Sequence, residues 1–151
     1  MRLLGKGTFG AVYEVVSGRL RTRSALKVLH AMWSFEPQVV ARFQREARAV
    51  AALCHHNVVA VYELDVIRGR HVIAMEFLTG RSLKSYLAEA LRLPIEDALD
   101  LALPVISALQ AAHDQDIVHR DIKPANIHLA SEADGVVTPK VLDFGVARVI
   151  E

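Results

Sequence analysis

The stretch His119-Arg120-Asp121-Ile122-Lys123-Pro124-Ala125-Asn126, followed seventeen residues after Asn126 by Asp143-Phe144-Gly145, carries the densest chemistry in the chain. Short apolar runs beside it, Ile127-His128-Leu129 and Val141-Leu142, read as strand pieces, so the polar residues fall on loops between strands. Two carboxylates, a lysine and an amide on such loops can together hold a metal-bound phosphate and a hydroxyl nucleophile. A hard cation such as Mg²⁺ takes oxygen ligands from one or two carboxylates and from phosphate oxygens. Asp143 with Asn126 offers that set, and Asp121 is left free to accept a proton. A solvated polar loop accounts for any one of these residues, but not for all of them at this spacing.

At the other end of the chain stands Gly5-Lys6-Gly7-Thr8-Phe9-Gly10-Ala11-Val12. A G-x-G-x-x-G is a weak signal by itself, and a dinucleotide-binding turn requires a helix after it. Ala11 to Val16 is β-branched and aromatic and ends at the Ser17-Gly18 turn, so a strand-loop-strand hairpin fits better. Glycines there either supply the dihedrals of a tight turn or let backbone N–H groups approach phosphate oxygens; the motif alone leaves both open.

Between these ends a helix is expected from Glu36 to Leu53, with Pro37 in its first turn and Val39, Phe43, Ala47, Val50 and Leu53 at the helical period. Glu46 projects from that apolar stripe, whereas Arg42, Arg45 and Arg48 mark the exposed face. A carboxylate in a buried stripe is costly unless a cation meets it. Lys27, in the otherwise apolar strand Ser24 to Leu29, is the obvious partner; the other reading lets both charges reach solvent at an edge.

The chain has 151 residues, 52% hydrophobic and 23% charged, with 18 Lys+Arg against 17 Asp+Glu and a net charge of +1. Such a balance excludes the basic footprint of a nucleic-acid binder. The single cysteine, Cys54, excludes an internal disulfide and reads as a small buried hydrophobe in a reducing compartment. Mean hydropathy is +0.26. The most apolar stretch, Ala98 to Ala112, is broken by Asp100, Pro104, Ser107 and Gln110, short of the ~18 apolar residues a spanning helix needs. No signal-peptide core opens the chain, so a cytoplasmic domain, or the cytoplasmic part of a longer membrane-anchored protein, is expected.

Further strands are expected over Val58 to Leu64 and His71 to Phe77, with a turn at Arg68-Gly69-Arg70. After Thr79-Gly80 a short helix, Ser82 to Glu89, and a longer one, Ile95 to Asp114, kinked at Pro104, are expected. The fold class is therefore α+β: a small antiparallel β-sheet lobe with one helix over residues 1–78, then a mainly helical lobe over residues 79–151.

In this order and spacing the motifs resemble those of the eukaryotic-type protein kinases, especially the serine/threonine kinases of bacteria. The glycine loop matches G-x-G-x-x-G-x-V, Ala25-Leu26-Lys27 stands at the V-A-I-K lysine, and His119 to Asn126 matches H-R-D-L-K-P-x-N with Ile122 for Leu. Asp143-Phe144-Gly145 completes the set. The resemblance implies ATP and Mg²⁺ as cofactors and a protein serine or threonine hydroxyl as acceptor. Leu4, Gly5, Lys6, Gly7, Thr8, Phe9, Gly10 and Val12 would cover the nucleotide, and Lys27, paired with Glu46, would contact the α/β-phosphates. Asn126 and Asp143 would hold Mg²⁺, Asp121 would accept the hydroxyl proton, and Lys123 would contact the γ-phosphate.

Ala74 to Leu78 resembles the family's hinge, with Met75 as gatekeeper, backbone groups of Glu76 and Leu78 on the adenine edge, and Val12 and Ala25 above the ring. Val50, Val61, His119 and Phe144 fall at a column of packed side chains, which makes His119 structural. His55, His56 and His113 have no ligand-like spacing. His128 stands where an apolar contact beneath the adenine is usual, so nucleotide affinity is expected to weaken below neutral pH. The chain stops at Val149-Ile150-Glu151, before the rest of the activation segment, so only the first part of the second lobe is expected. The rival reading is a kinase-like ATP-binding or regulatory fragment without turnover. Leu99, Leu103, Ile106 and Leu109 would then form an exposed apolar face prone to self-association.

Overall fold

A computed structural model describes the chain apart from residues 19–20, 91, 133 and 145–151. Gly145, Val149, Ile150 and Glu151, named above, lie outside the described residues. The rest divides into two compact units, one of Met1–Ala52 with Ala60–Phe77, the other of Leu53–Val59 with the chain from Leu78 onward.

The first unit is an antiparallel sheet of five strands, β1 (Arg2–Lys6), β2 (Gly10–Val16), β3 (Arg23–Leu29), β4 (Val61–Ile67) and β5 (Arg70–Glu76), in the order β1-β2-β3-β5-β4. The β4–β5 turn has two residues, Arg68 and Gly69, at φ of 50° and 74°, as a type I′ hairpin requires. One helix, α1 (Pro37–Ala52), follows the helical spacing of its apolar residues. Phe43 and Ala47 close a core with Leu29 and Ile73, against which Val39, Val61, Leu64 and Met75 also pack. Burying each of Leu29, Phe43 and Ile73 contributes roughly 1.5–3 kcal/mol. Arg45 and Arg48 face solvent as expected, but Arg42 is half-buried, its Nη2 shut off from water.

The second unit holds β6 (Gly80–Ser82), α2 (Leu83–Ala90), α3 (Ile95–His113), β7 (Ile127–Ser131) and β8 (Val137–Val141), with its three strands antiparallel in the order β6-β7-β8. Val105, Ala108 and Ala112 of α3 are buried, as are Ile127, Leu129, Ala130 and Val141 of the strands. α3 continues through Pro104, which withholds the N–H that position would donate. Val58 and Val59 were expected to begin β4 but belong to this unit instead. Both are buried, and the Val59 N–H donates to Val141 O at 3.0 Å while Val141 N–H donates to Asn57 O at 2.8 Å.

Two further outcomes concern exposure. Cys54 is exposed, against expectation, because the burial after α1 is taken by Leu53 and then by Val58 and Val59. On α3, Ile95, Leu99, Leu103 and Ile106 are half or more exposed, whereas Leu109 is half-buried. No helix among the described residues is long and apolar enough to cross a membrane.

Candidate active site

In the second unit, His119 to Asn126 leads into β7 through a single 3₁₀ turn, Pro124–Asn126, and β8 delivers Leu142, Asp143 and Phe144 beside it. The proline fixes the first turn position at the φ a helical turn needs. Asp121 is held in place: its Oδ2 accepts from Lys123 Nζ at 2.6 Å and from Asn126 Nδ2 at 3.0 Å. Asn126 Nδ2 also donates to the Asp121 backbone oxygen at 2.8 Å. The Lys123 ammonium first, and the Asn126 amide second, hold the Asp121 carboxyl below the usual carboxylate range. It is an ionised, oriented acceptor at neutral pH.

Leu142 ties the two segments through both of its backbone groups. Its N–H donates to Asn126 O at 2.8 Å, and its carbonyl accepts from His119 Nε2 at 2.8 Å. His119 Nδ1 in turn accepts from the Asp121 N–H at 3.2 Å, which assigns the ring's proton to Nε2. Its ring is 2% exposed and meets the Phe144 ring at 4.7 Å between centroids. Burial pushes the His119 pKa down, against the Leu142 carbonyl that favours the proton. Such a neutral, fully engaged imidazole orients its neighbours; it has no nitrogen left for substrate. Sequence reasoning named His119 as structural but could not see Leu142, whose contribution is made by backbone alone.

Arg120 and Asp143 adopt φ of 63° and 36°. Such left-handed backbone costs a non-glycine residue of order 1–3 kcal/mol and persists only where its surroundings impose it. The pinned Leu142 supplies that restraint next to Asp143. Among the described residues no three His, Cys, Asp or Glu side chains gather to hold a metal ion by themselves. With its nitrogen committed to Asp121, Asn126 offers a cation its carbonyl oxygen. One amide oxygen, the Asp143 carboxylate and phosphate oxygens form a donor set that fits Mg²⁺.

His128, in β7 opposite Ser82 and Lys140, is half-buried and donates through Nε2 to Thr79 O at 3.0 Å. Burial pushes its pKa down, partly offset by that carbonyl. His119 and His128 therefore favour folding in the neutral form: their contribution is complete above the unfolded value of about 6.5 and is lost as pH falls below it. The urea midpoint should drop between pH 7 and pH 5, and His128→Leu should drop less steeply over the same range. Parallel slopes would remove His128 from this account.

The remaining site residues lie on the first unit. The β1–β2 hairpin places Gly7, Thr8 and Phe9 at its tip, with Lys6 opposite Ala11 and Gly5 opposite Val12. Glu14 fixes this register by accepting from Arg2 Nε at 2.7 Å and from Arg23 Nη2 at 2.6 Å. The glycines divide in purpose. A Cβ on Gly10 would overlap the Val28 carbonyl oxygen, whereas Gly5 has open space around it and Gly7 has only Gly10 O within 4 Å. Gly10 thus serves the fold, and Gly5 and Gly7 leave room beside the backbone.

Lys27 pairs with Val12 on one side and Ile73 on the other, and Ala25 pairs with Met75. Opposed residues share a face, so Lys27 lies on the side of the sheet that carries Leu29, Ile73 and Met75 and packs on α1. Glu46 stands about 20° round the helix from Val39, which packs there too, and both its oxygens are buried. Lys27 and Glu46 each have interaction partners. The Glu76 N–H donates to Ala60 O at 2.8 Å, so the backbone group it can turn to a ligand is its carbonyl. Leu4 lies in β1 and Leu78 opens the second unit.

The protein kinase domain model matches residues 1–151. The chain is 40% identical over its whole length to serine/threonine-protein kinase Pkn1 of Myxococcus xanthus, of which it covers 22%. It is 36% identical to serine/threonine-protein kinase PknA of Mycobacterium tuberculosis, covering 35% of that protein with 99% of its own length. Among solved structures, the PknI kinase domain of Mycobacterium tuberculosis superposes with a TM-score of 0.80 at 32% identity, over 97% of this chain and 59% of that one. The chain thus spans about a fifth of the first relative and under two thirds of the solved domain. Matched from end to end, it belongs to the protein kinase domain family.

Proposed function

We propose that this chain carries the nucleotide- and hydroxyl-handling residues of an ATP- and Mg²⁺-dependent protein serine/threonine kinase. The observation that carries the reading is the Asp121 carboxylate held at one oxygen by both Lys123 and Asn126. A fixed, ionised acceptor suits a reaction whose transition state needs positioning and charge neutralisation more than covalent help. A serine or threonine hydroxyl oxygen bonds to the γ-phosphorus, the bond to the β–γ bridging oxygen breaks, and the proton passes to Asp121. Lys123, paired with that carboxylate, would contact the γ-phosphate. Asn126 and Asp143 would hold Mg²⁺, which supplies neutralisation of phosphate charge when bound.

On the first unit, Lys27 held by Glu46 meets the α/β-phosphates, and the stretch from Leu4 to Gly10 covers the phosphates. Val12 and Ala25 of the first unit would pack on the adenine, with Met75 as gatekeeper, and His128 of the second unit would contact the same ring. The Glu76 carbonyl and the Leu78 backbone read the adenine edge. Dependence on ATP supports a cytoplasmic setting. The exposed α3 stripe supports self-association of the chain, visible as a rising sedimentation coefficient with concentration.

Incubation with γ-labelled ATP, Mg²⁺ and an unstructured acceptor protein should place label on serine and threonine, and chelation of Mg²⁺ should stop it. ATP binding without transfer would instead support a kinase-like binding module. Absence of ATP binding overturns both readings.

A further inference from the structure

Three consecutive backbone carbonyls at the tip of the glycine loop are each taken by the segment that follows β3. His30 Nε2 donates to Gly7 O at 3.1 Å, the Trp33 indole Nε1–H donates to Thr8 O at 3.2 Å, and the His30 backbone N–H donates to Phe9 O at 2.8 Å. The Phe9 and Trp33 rings meet at 5.6 Å between centroids, tilted by 50°. The donor segment is itself tight: Ala31–Trp33 is a 3₁₀ turn closed by Trp33 N–H to His30 O at 3.0 Å and Ser34 N–H to Ala31 O at 3.1 Å. It runs directly into α1 at Pro37, and both Phe9 and Trp33 pack against the core that α1 forms with the sheet.

The direction of these bonds matters. A trans peptide points its N–H opposite to its C=O. Fastening the carbonyls of Gly7, Thr8 and Phe9 toward His30 and Trp33 therefore turns the N–H groups of Thr8, Phe9 and Gly10 the other way. Successive amides facing one side make a concavity suited to an anion. A glycine-bearing turn left to itself would populate many arrangements, each of which dilutes that one.

We propose that Trp33 and His30 are positioning residues that latch the tip of the glycine loop to the segment leading into α1, and so hold its amides ready for the nucleotide's phosphates. The latch couples the loop to the helix that bears Glu46. It rests on the nucleotide-binding reading above and adds to it two residues outside every motif of the chain.

The test separates the latch from that reading. Amide exchange in the chain without nucleotide is compared for the wild type, Trp33→Phe and His30→Ala. Trp33→Phe keeps an aromatic ring against Phe9 and deletes only the indole donor. Exchange at the Gly7 and His30 amides, which donate to Gly10 O and Phe9 O at the loop's tip, should quicken about fivefold, the weight of one neutral hydrogen bond, while Leu29 and Ile73 keep their protection. His30→Gln, which returns an N–H donor at the same reach, should restore the loop's protection. In titration calorimetry, Mg²⁺-ATP should bind about fivefold more weakly to Trp33→Phe and His30→Ala, and adenosine, which has no phosphates, equally well. Loop exchange unchanged in both variants, or equal loss of ATP and adenosine affinity, overturns the latch. Should Trp33→Phe lose core protection, the His30 pair decides alone. Should the wild type bind neither ligand, the nucleotide reading falls and exchange alone judges the latch.

Discussion

Replacing Asp121 by asparagine should lower the rate of phosphoryl transfer about 10³-fold, within the 10²–10⁴ range of a positioned acid or base. Affinity for ATP should stay within about twofold, because in the proposed reading Asp121 would meet the hydroxyl and not the nucleotide. The substitution keeps shape and removes charge. The amide oxygen it introduces can still accept from Lys123, but the amide can neither take the hydroxyl's proton nor hold the ammonium as an ion pair. The lost stabilisation corresponds to about 4 kcal/mol at the transition state. Because Lys123 and Asn126 already hold the Asp121 carboxyl below the usual range, its ionisation is complete at neutral pH. The wild-type rate should therefore show no inflection from this group between pH 6 and pH 8. Single-turnover transfer from γ-labelled ATP measures both effects. A variant within tenfold of the wild type would strip Asp121 of its role, whatever became of the fold.

The parts of this arrangement differ in how openly the chain declares them. α1 is legible because Val39, Phe43, Ala47 and Val50 repeat at the helical period, and helical periodicity is a local property. The same spacing exposed Glu46 as a carboxylate on the wrong face. The hairpin reading of the glycine stretch holds because strand propensity after Gly10 is also local. β6 is three residues long, too short to show alternation, and it exists only because β7 offers its edge. Val58 and Val59 were misassigned for a related reason: an apolar pair shows that it is buried, not which unit buries it. His30 and Trp33 escaped notice because their partners are backbone oxygens 23 and 25 residues away, and a carbonyl carries no residue identity. Leu142 escaped for the same reason. A lone tryptophan immediately after a strand was the one available hint.

Gly80→Ala should be the most damaging single-methyl change in the second unit. Gly80 holds φ of 101°, where an L side chain is strained by about 1–3 kcal/mol. A Cβ there would also overlap the Leu129 carbonyl oxygen and press to 3.2 Å on both the Leu129 carbonyl carbon and the Ser131 nitrogen. These are backbone atoms of a paired strand, so they cannot swing aside, and overpacking of this kind adds about 1–3 kcal/mol. The neighbouring Thr79 gives the strand no room to retreat: its Oγ1 donates to Ser131 O at 2.7 Å, and its carbonyl accepts from His128 and from the Ser131 N–H. The combined cost, about 2–6 kcal/mol, is a large share of a domain's usual 5–15. Gly69→Ala separates the two causes, because Gly69 has φ of 74° but nothing within 4 Å of an added Cβ. The urea midpoint followed by far-ultraviolet circular dichroism should fall by about 1–2 M for Gly80→Ala and by less than half as much for Gly69→Ala. Equal losses in the two variants would mean that backbone dihedral strain alone is at work, and that the close approach of Gly80 to β7 contributes nothing.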